Sequence, residues 1–292
     1  MRPLLEIVQL STSHLLKKMI KNAKLEAEYL VAETLGIKRL DLFVQYDRPI
    51  TENELNQIRV NLEKRAQGMP LSYIIGKHEF LDLQLKVDQR VLIPRPETEV
   101  WVERIKEAGP TIWDICTGSG AIGLALKRKF PESDVVLSDI DQGALELAAE
   151  NALINEVKVK FKLGDLFKPF KGEKADLITI NPPYISHNDY LNLEAEVRDH
   201  EPKKALVGGA TGLEYYERIS HELPHFLNPG AEVYLEMGYD QESSVLALFE
   251  SGPWQKIEVW RDYSGHPRCL FLKFNGISLK IPPSQGELCS GR

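Results

Sequence analysis

A turn with unusual hydrogen-bonding capacity ends the apolar stretch in DLITINPPYISHND. Residues 177–180 carry two isoleucines and read as a buried strand, and Asn181, Pro182, Pro183 and Tyr184 follow at once. The two prolines fix the backbone and remove two N–H donors, so the turn is stiff and rich in acceptors. The Asn181 side-chain oxygen and the Pro182 carbonyl can hold the two hydrogens of an NH₂ group, while the Tyr184 ring faces a developing positive charge. The turn therefore suggests chemistry on an amino or amide nitrogen.

A glycine-rich loop lies earlier in the chain, in the segment DICTGSGAIG. Its spacing, Gly118-x-Gly120-x-x-Gly123, permits a tight turn and a close approach of a ligand to the start of a helix. The pattern alone is weak, because it serves nucleotide cofactors of several kinds and also simple strand–helix turns.

Acidic side chains near the ends of successive predicted strands decide between the ligands. Asp114, Asp139, Asp141 and Asp165 favour a ligand that is cationic or rich in hydroxyl and amino groups. Asp114 would repel the pyrophosphate of a dinucleotide, whereas S-adenosylmethionine carries a sulfonium and an amino group and no phosphate. Asp139 is spaced for a ribose diol, and Asp165 for the adenine amino group. The sequence therefore predicts S-adenosylmethionine as the cofactor.

The elements that must position these residues form an alternating pattern after Gly109-Pro110. Strands alternate with helices over residues 121–130 and 142–152, which is typical of a parallel sheet with helices on both faces. The last two strands flank the turn residues 264–267 and form an antiparallel pair. The predicted strands are residues 111–116, 134–139, 157–163, 175–180, 231–237, 257–263 and 268–274.

The remainder of the chain divides into three further parts. Residues 1–72 have helical spacing, including a capping box from Thr51 to Glu54, and form a helical domain that recognises the substrate. Residues 73–95 form a linking β-hairpin, in which the alternating stretch 81–87 and Val91-Leu92-Ile93 flank a turn at 88–90. Residues 96–275 form the catalytic domain, and residues 276–292 are expected to be disordered.

Composition narrows the class of protein. The chain has 292 residues, 43% of them hydrophobic and 27% charged, with a net charge of −7. That charge disfavours a protein that binds nucleic acid over a wide surface. Three cysteines give no disulfide framework, no histidine, cysteine or aspartate set has metal spacing, and neither a signal peptide nor a membrane span is evident. We expect a cytoplasmic monomer that holds no metal, binds no nucleic acid directly and contacts its substrate transiently.

Several motifs together resemble one family. RVLIPRPETE, DICTGSGAIG and NPPYI stand in the order found in the HemK/PrmC protein-glutamine methyltransferases, and PLSYIIGKHEF and EPKKALVGGATGLEYY resemble two further blocks. The resemblance covers residues 25 to about 274. It implies an α/β, Rossmann-like, seven-stranded class I methyltransferase fold that uses S-adenosylmethionine, with a small N-terminal helical domain. It also implies methylation of N5 of the glutamine in the Gly-Gly-Gln motif of class I peptide chain release factors.

The resemblance assigns roles to particular residues. Asn181, Pro182, Pro183 and Tyr184 would hold the glutamine, with Asn181, Pro182 and Tyr184 as the catalytic groups. This sequence has Cys116 where glycine is common, which puts the local loop shape in question. The residues expected to bind the cofactor are Cys116, Thr117, Gly118, Ser119, Gly120, Asp139, Asp165, Leu166 and Asn181.

Three other functions remain open from the residues. An adenine-N6 DNA methyltransferase shares the Asn-Pro-Pro-Tyr turn, but it would need basic grooves and a target-recognition region for base flipping. A dinucleotide-dependent oxidoreductase would use the glycine loop but leaves Asp114 and the turn unexplained. A binding module without catalytic activity would not require the complete set of Gly118, Gly120, Asp139 and Asn181.

Overall fold

The N-terminal region is a bundle of helices. The structure, a computed structural model, describes residues 2–276. The predicted capping box is confirmed, because Thr51 and Glu54 cap each other's backbone N–H groups. Apolar faces of the helices meet in a core around Leu4, Leu30 and Ile58, and two short strands that the sequence did not predict pair in antiparallel fashion. The elements are β1 (Arg2–Pro3), α1 (Leu4–Lys17), α2 (Ala23–Thr34), α3 (Asp41–Val44), β2 (Pro49–Ile50), α4 (Glu52–Ala66) and α5 (Leu71–Ile75).

The linking hairpin is present, but its register differs from the prediction. Strand β3 (Lys77–Phe80) pairs with β4 (Leu83–Lys86), so the turn lies at Leu81-Asp82 and the alternating run is the second strand. The predicted turn at 88–90 is present, because the Val91 N–H donates to the Asp88 carbonyl at 3.1 Å, but the strand predicted after it was wrong. Asp88 also accepts hydrogen bonds from the backbone and side chain of Arg90, and Val91 is buried without pairing in a strand. The apolar residues of the pattern do face inward. Burial of this kind does not require that the segment pair with another strand.

A seven-stranded sheet forms the centre of the catalytic region. Its order is β12-β13-β11-β8-β5-β6-β7, and every neighbouring pair is parallel except the two that involve β13. All seven predicted strands are confirmed, although β7 begins later than predicted and β11 and β12 begin earlier. The strands are β5 (Thr111–Ile115), β6 (Asp134–Asp139), β7 (Lys160–Leu163), β8 (Ala175–Ile180), β9 (Ile185–Ser186), β10 (Val207–Gly209), β11 (Leu227–Glu236), β12 (Trp254–Arg261) and β13 (Pro267–Phe274), of which β9 and β10 form a separate pair.

Helices cover both faces of this sheet and bury two apolar layers. One layer surrounds Trp113 and Phe170, whose rings stack at 4.0 Å, and the other surrounds Trp101 and Leu124. In chain order the helices are α6 (Pro96–Arg104), α7 (Ala121–Lys129), α8 (Gln142–Ile154), α9 (His187–Leu191), α10 (Ala195–His200), α11 (Lys203–Leu206), α12 (Glu214–Glu222) and α13 (Glu242–Phe249), with short 3₁₀ helices at Lys168–Phe170 and Leu223–Phe226.

The helical region is joined to the segment that follows the Asn-Pro-Pro-Tyr turn. Arg65, only 5% exposed, pairs with Glu26 of its own region and with Glu196 of α10 at 2.8 Å. Lys21 reaches Glu194 at 2.8 Å. A buried arginine between two carboxylates makes this contact specific in geometry. Helix α5 spans residue 72, the predicted end of the helical domain. The chain therefore passes from the helical domain into the linking segment within a helix.

Two expectations concern features that the fold does not decide. Within residues 2–276, no helix is both long enough and apolar enough to cross a membrane. The expected disorder of residues 276–292 concerns a segment that lies, after residue 276, outside the described part of the chain.

Candidate active site

A cleft opens at the carboxyl ends of β5, β6 and β8, where parallel sheets of this type bind their ligands. Among the predicted residues, Gly120, Pro182 and Tyr184 lie outside its wall. Gly120 begins α7, and its N–H donates to the Thr117 carbonyl at 2.9 Å. The predicted residues that line the cleft together are Cys116, Thr117, Gly118, Ser119, Asp139, Asp165, Leu166, Asn181 and Pro183.

Asp139 is the last residue of β6 and lies beside the glycine-rich loop. One carboxylate oxygen accepts the Gly118 N–H at 2.9 Å, and the other accepts the Asp141 N–H at 3.0 Å. Burial raises the pKa of Asp139, and the Gly118 and Ile140 backbone N–H groups and Lys204 oppose that rise. A carboxylate has about four acceptor positions, so two remain for hydroxyl groups of a ligand. The position suits a ribose diol.

Asp114 does not face the cleft, which corrects the argument that it repels a phosphate ligand. It is fully buried and accepts hydrogen bonds from Thr117 Oγ1, from Thr179 Oγ1 at 2.8 Å and from the Gly123 N–H at 3.0 Å. Burial raises its pKa to about 6, against the effect of these donors. The residue therefore braces the loop from below and ties it to β8.

The charged side chains of the cleft wall form ion pairs. Asp165 pairs with Arg218 and Lys168, each at 2.8 Å; burial pushes the pKa of Asp165 upward, but the two cations outweigh burial and lower it. Each cationic side chain of the wall in turn has a carboxylate partner. The cationic side chains that line the wall pair as Arg90 with Asp88, Arg95 with Glu201, and Lys204 with Asp141.

Cys116 adopts a backbone conformation that glycine reaches at lower cost than other residues. Its φ is +60°, in the left-handed region that costs a non-glycine residue roughly 1–2 kcal/mol. Burial raises the pKa of its thiol well above the ordinary value, with the neighbouring Asp139 and Asp114 acting in the same direction. The thiol is therefore protonated and behaves as a small apolar part of the wall.

Sequence reasoning missed the apolar side of the cleft. Ile140 follows Asp139 and lines the cleft although 62% of its surface is exposed, and Ala144 and Ala205 lie nearby in the wall. An exposed isoleucine beside the acid that closes β6 offers a flat apolar contact for an aromatic base. The available signal was an apolar residue between two aspartates, where a loop is ordinarily polar.

The Asn-Pro-Pro-Tyr turn is braced by the GGATG segment. Strand β10 pairs in parallel with β9, directly after the turn. A Cβ on Gly208 would lie 2.4 Å from the Pro183 carbonyl oxygen, and one on Gly212 would lie 2.3 Å from the backbone carbonyl oxygen of Tyr184. That same Tyr184 oxygen accepts the Gln241 side-chain amide at 2.9 Å. The two glycines are thus required by a close backbone approach, and the segment forms the back of the site.

This sheet order, with a ligand cleft at the strand ends and an acid closing the second strand, defines a class I methyltransferase that uses S-adenosylmethionine. Two family models match the chain: "PrmC N-terminal domain" over residues 6–76 and "Methyltransferase small domain" over residues 96–199. A release factor glutamine methyltransferase of Geobacter sulfurreducens is 39% identical and aligns with 84% of this chain and 87% of its own length. One of Chlamydia trachomatis serovar L2 is 38% identical, over 92% and 93%. The chain belongs to the release factor glutamine methyltransferase family.

Solved structures agree on the fold. A methyltransferase from Pyrococcus furiosus is 19% identical with a TM-score of 0.53, covering 76% of this chain and 98% of its own. The T. thermophilus 16S rRNA N2 G1207 methyltransferase, solved with AdoMet and guanosine, is 17% identical with a TM-score of 0.50, covering 68% of this chain and 49% of its own. At these identities the likeness concerns the fold alone.

Proposed function

We propose that this protein transfers a methyl group from S-adenosylmethionine to the N5 amide nitrogen of the glutamine in the Gly-Gly-Gln motif of class I peptide chain release factors. The observation that carries the proposal is the family membership: two relatives named release factor glutamine methyltransferase align over 87% and 93% of their own lengths. The stiff Asn-Pro-Pro-Tyr turn at the cleft supports a planar amide as the acceptor.

When bound, S-adenosylmethionine supplies an electrophilic methyl group on a sulfonium. The amide nitrogen of glutamine is a poor nucleophile because its lone pair is delocalised into the carbonyl. Asn181 Oδ1 and the Pro182 carbonyl accept the two N–H hydrogens, which fixes the nitrogen and favours the positive charge that develops on it. The Tyr184 ring lies against that charge. The methylated nitrogen is cationic and strongly acidic, so it loses its proton without an assigned base.

The cofactor residues have separate roles in this proposal. The loop from Cys116 to Gly120 approaches the methionine part through its backbone, and Asp139 accepts the ribose hydroxyls. Asp165 accepts from the adenine amino group, and Leu166 packs beside the ring, with Ile140 adding an apolar surface that the sequence did not reveal.

Residues 1–72 are proposed to recognise the release factor. A free glutamine offers too few groups for specificity, so binding energy must come from surfaces remote from the acceptor. Leu16 and Phe43 line a groove on this region and are 59% and 57% exposed. Phe43→Ser should raise KM for an intact release factor and leave methyl-donor affinity unchanged. Val60→Ser, which alters an exposed residue outside that groove, is the matched control; equal KM values for the two variants would contradict the proposal.

The deciding experiment offers labelled methyl donor together with either a class I release factor or double-stranded DNA. We expect label on the Gly-Gly-Gln peptide, located by mass analysis, and none on adenine. Label on adenine alone would establish the DNA methyltransferase alternative. A monomeric state, a cytoplasmic location and the absence of direct nucleic-acid binding belong to the same proposal, and sedimentation of the purified protein tests the first of these.

A further inference from the structure

Glu236 is a buried acid beside the acceptor turn. In the parallel ladder between β8 and β11, Ile180 pairs with Leu235, which places Asn181 and Glu236 next to each other at the strand ends. Glu236 is only 4% exposed. A buried carboxylate in this position must be satisfied by hydrogen bonds, because leaving it without partners would be very costly.

Helix α6 supplies two of those hydrogen bonds. Thr98 Oγ1 donates to Glu236 Oε2 at 2.6 Å, and Trp101 Nε1 donates to the same oxygen at 3.0 Å. Both donors are buried, at 3% and 1% exposure. With Oε2 taken by two donors, Oε1 has room for a further donor. Asn181, at the adjoining strand end, also acts on Glu236, whose pKa it lowers.

The chemistry of the carboxylate fixes the direction of a hydrogen bond between these two side chains. A carboxylate only accepts, so Asn181 takes part as the donor, through its Nδ2–H. The Asn181 Oδ1 atom is then left as an acceptor for the cleft that Asn181 lines. An asparagine without such a partner could present its NH₂ group instead, and two NH₂ groups cannot hydrogen-bond productively through their hydrogens.

We propose that Glu236, held by Thr98 and Trp101, is a positioning residue that orients the Asn181 amide with its oxygen toward the substrate nitrogen. This inference rests on the proposed role of Asn181. It gives the PETEVW segment a physical function, because the segment supplies both donors to Glu236. Glu236 acts through Asn181 and does not itself contact the acceptor.

The same neighbours act on the charge of Glu236. Burial raises the pKa of Glu236 above its ordinary value, and Thr98, Trp101, Arg268 and Asn181 act against that rise. Arg268 is held in place by Asp262 at 2.8 Å.

The test variant is Glu236→Gln, which keeps the shape of the side chain. Its amide oxygen accepts from Thr98 and Trp101, so its NH₂ group faces Asn181 and turns the Asn181 oxygen away from the substrate. We expect kcat to fall about 10-fold or more, with KM for release factor and cofactor changing less than about 3-fold. Glu232→Gln is the matched control, because Glu232 lies on the same strand, pairs with Lys273 and Tyr234, and should leave kcat unchanged.

A double-mutant cycle separates positioning from a general loss of structure. Asn181→Ala with Glu236→Gln should be no slower than Asn181→Ala alone, because Glu236 acts through the removed amide. Thr98→Val tests the same chain with the carboxylate retained, and should lower kcat by a smaller factor, so the test stands even where Glu236→Gln fails to fold.

The outcomes distinguish this inference from the proposed function. Normal kcat in folded Glu236→Gln, or in Thr98→Val where Glu236→Gln does not fold, with a slow Asn181→Ala, would overturn the positioning role and leave the role of Asn181 intact. Additive losses in the double variant would also overturn it. Normal kcat in Asn181→Ala would instead remove the proposed role of Asn181 itself.

Discussion

The two halves of the cleft are built in different ways. The cofactor half takes its residues from loops that each follow their own strand, at 116–120, 139–141 and 164–166. The proposed acceptor half depends on one turn, which Gly212 and Gln241 contact from behind and beside which Glu236 lies at the adjoining strand end. Each part of the first half is therefore positioned by the strand just before it, whereas the single turn of the second half is held by segments that are distant in the chain. We expect substitutions in the first half to change affinity and substitutions in the second half to change the rate.

The largest effect should come from Asn181→Ala. The change removes one of two acceptors for the substrate amide and the orientation that it imposes, so the chemical step should slow by about 10² or more. Single-turnover methylation of a release factor at saturating cofactor measures that step, and calorimetry measures methyl-donor binding separately. Tyr184→Phe should be milder than Tyr184→Ala, since the ring face is proposed to matter. A nearly normal single-turnover rate in Asn181→Ala would remove the rate-setting role from the acceptor half.

A second test compares two glycines of nearly equal φ. Gly212 and Gly230 have φ values of +81° and +80°, but a Cβ on Gly230 meets nothing within 4 Å. Both alanine variants should lose roughly 1 kcal/mol or more of stability from the left-handed backbone. Only Gly212→Ala collides with the Tyr184 carbonyl, and it should lower kcat by about 10-fold by displacing the turn. Equal kcat values in the two variants would show that the GGATG segment does not set the turn.

The different construction of the two halves of the cleft explains which features could be predicted from the sequence. The strands, the glycine loop and Asp139 have local signals, because each ligand residue follows a recognisable apolar run. The position of the linking hairpin was missed because the alternating run could serve as either strand, and the short turn at Leu81-Asp82 carries neither glycine nor proline. Glu236 was missed because its partners lie about 135 residues away, at Thr98 and Trp101. Contacts of that kind leave no spacing in a single sequence.

On the cofactor side, Asp139→Ala should mainly weaken binding. The change removes acceptors for the ribose and also frees the Gly118 N–H that Asp139 holds at 2.9 Å. One or two lost hydrogen bonds to a neutral group correspond to about 1–3 kcal/mol. Calorimetry with S-adenosylmethionine measures this loss, and kcat at saturating cofactor should change much less than in Asn181→Ala. A large fall in kcat with unchanged affinity would contradict the division between the two halves.

The smallest effect concerns Asp114, which braces the cofactor loop without touching the cleft. Its pKa of about 6 in the folded protein lies above the ordinary value of 3.8, so the folded state favours the protonated form. The associated stability is complete below the unfolded pKa and is lost as pH rises through the folded one. Asp114→Asn cannot ionise and lacks this dependence.

Urea unfolding of both proteins at about pH 5 and about pH 7 isolates that contribution, because other groups cancel in the difference. Between these values the stability of the wild type relative to Asp114→Asn should fall by about 1 kcal/mol. The asparagine side-chain oxygen still accepts a hydrogen bond from the Thr117, Thr179 and Gly123 donors. The stability difference that remains between the two proteins at low pH is constant, so it does not affect the slope. A difference that stays flat would mean that Asp114 is not held in a protonation-sensitive site. A stability difference that falls with pH, together with the same S-adenosylmethionine affinity in both proteins, would confirm Asp114 as a brace of the loop.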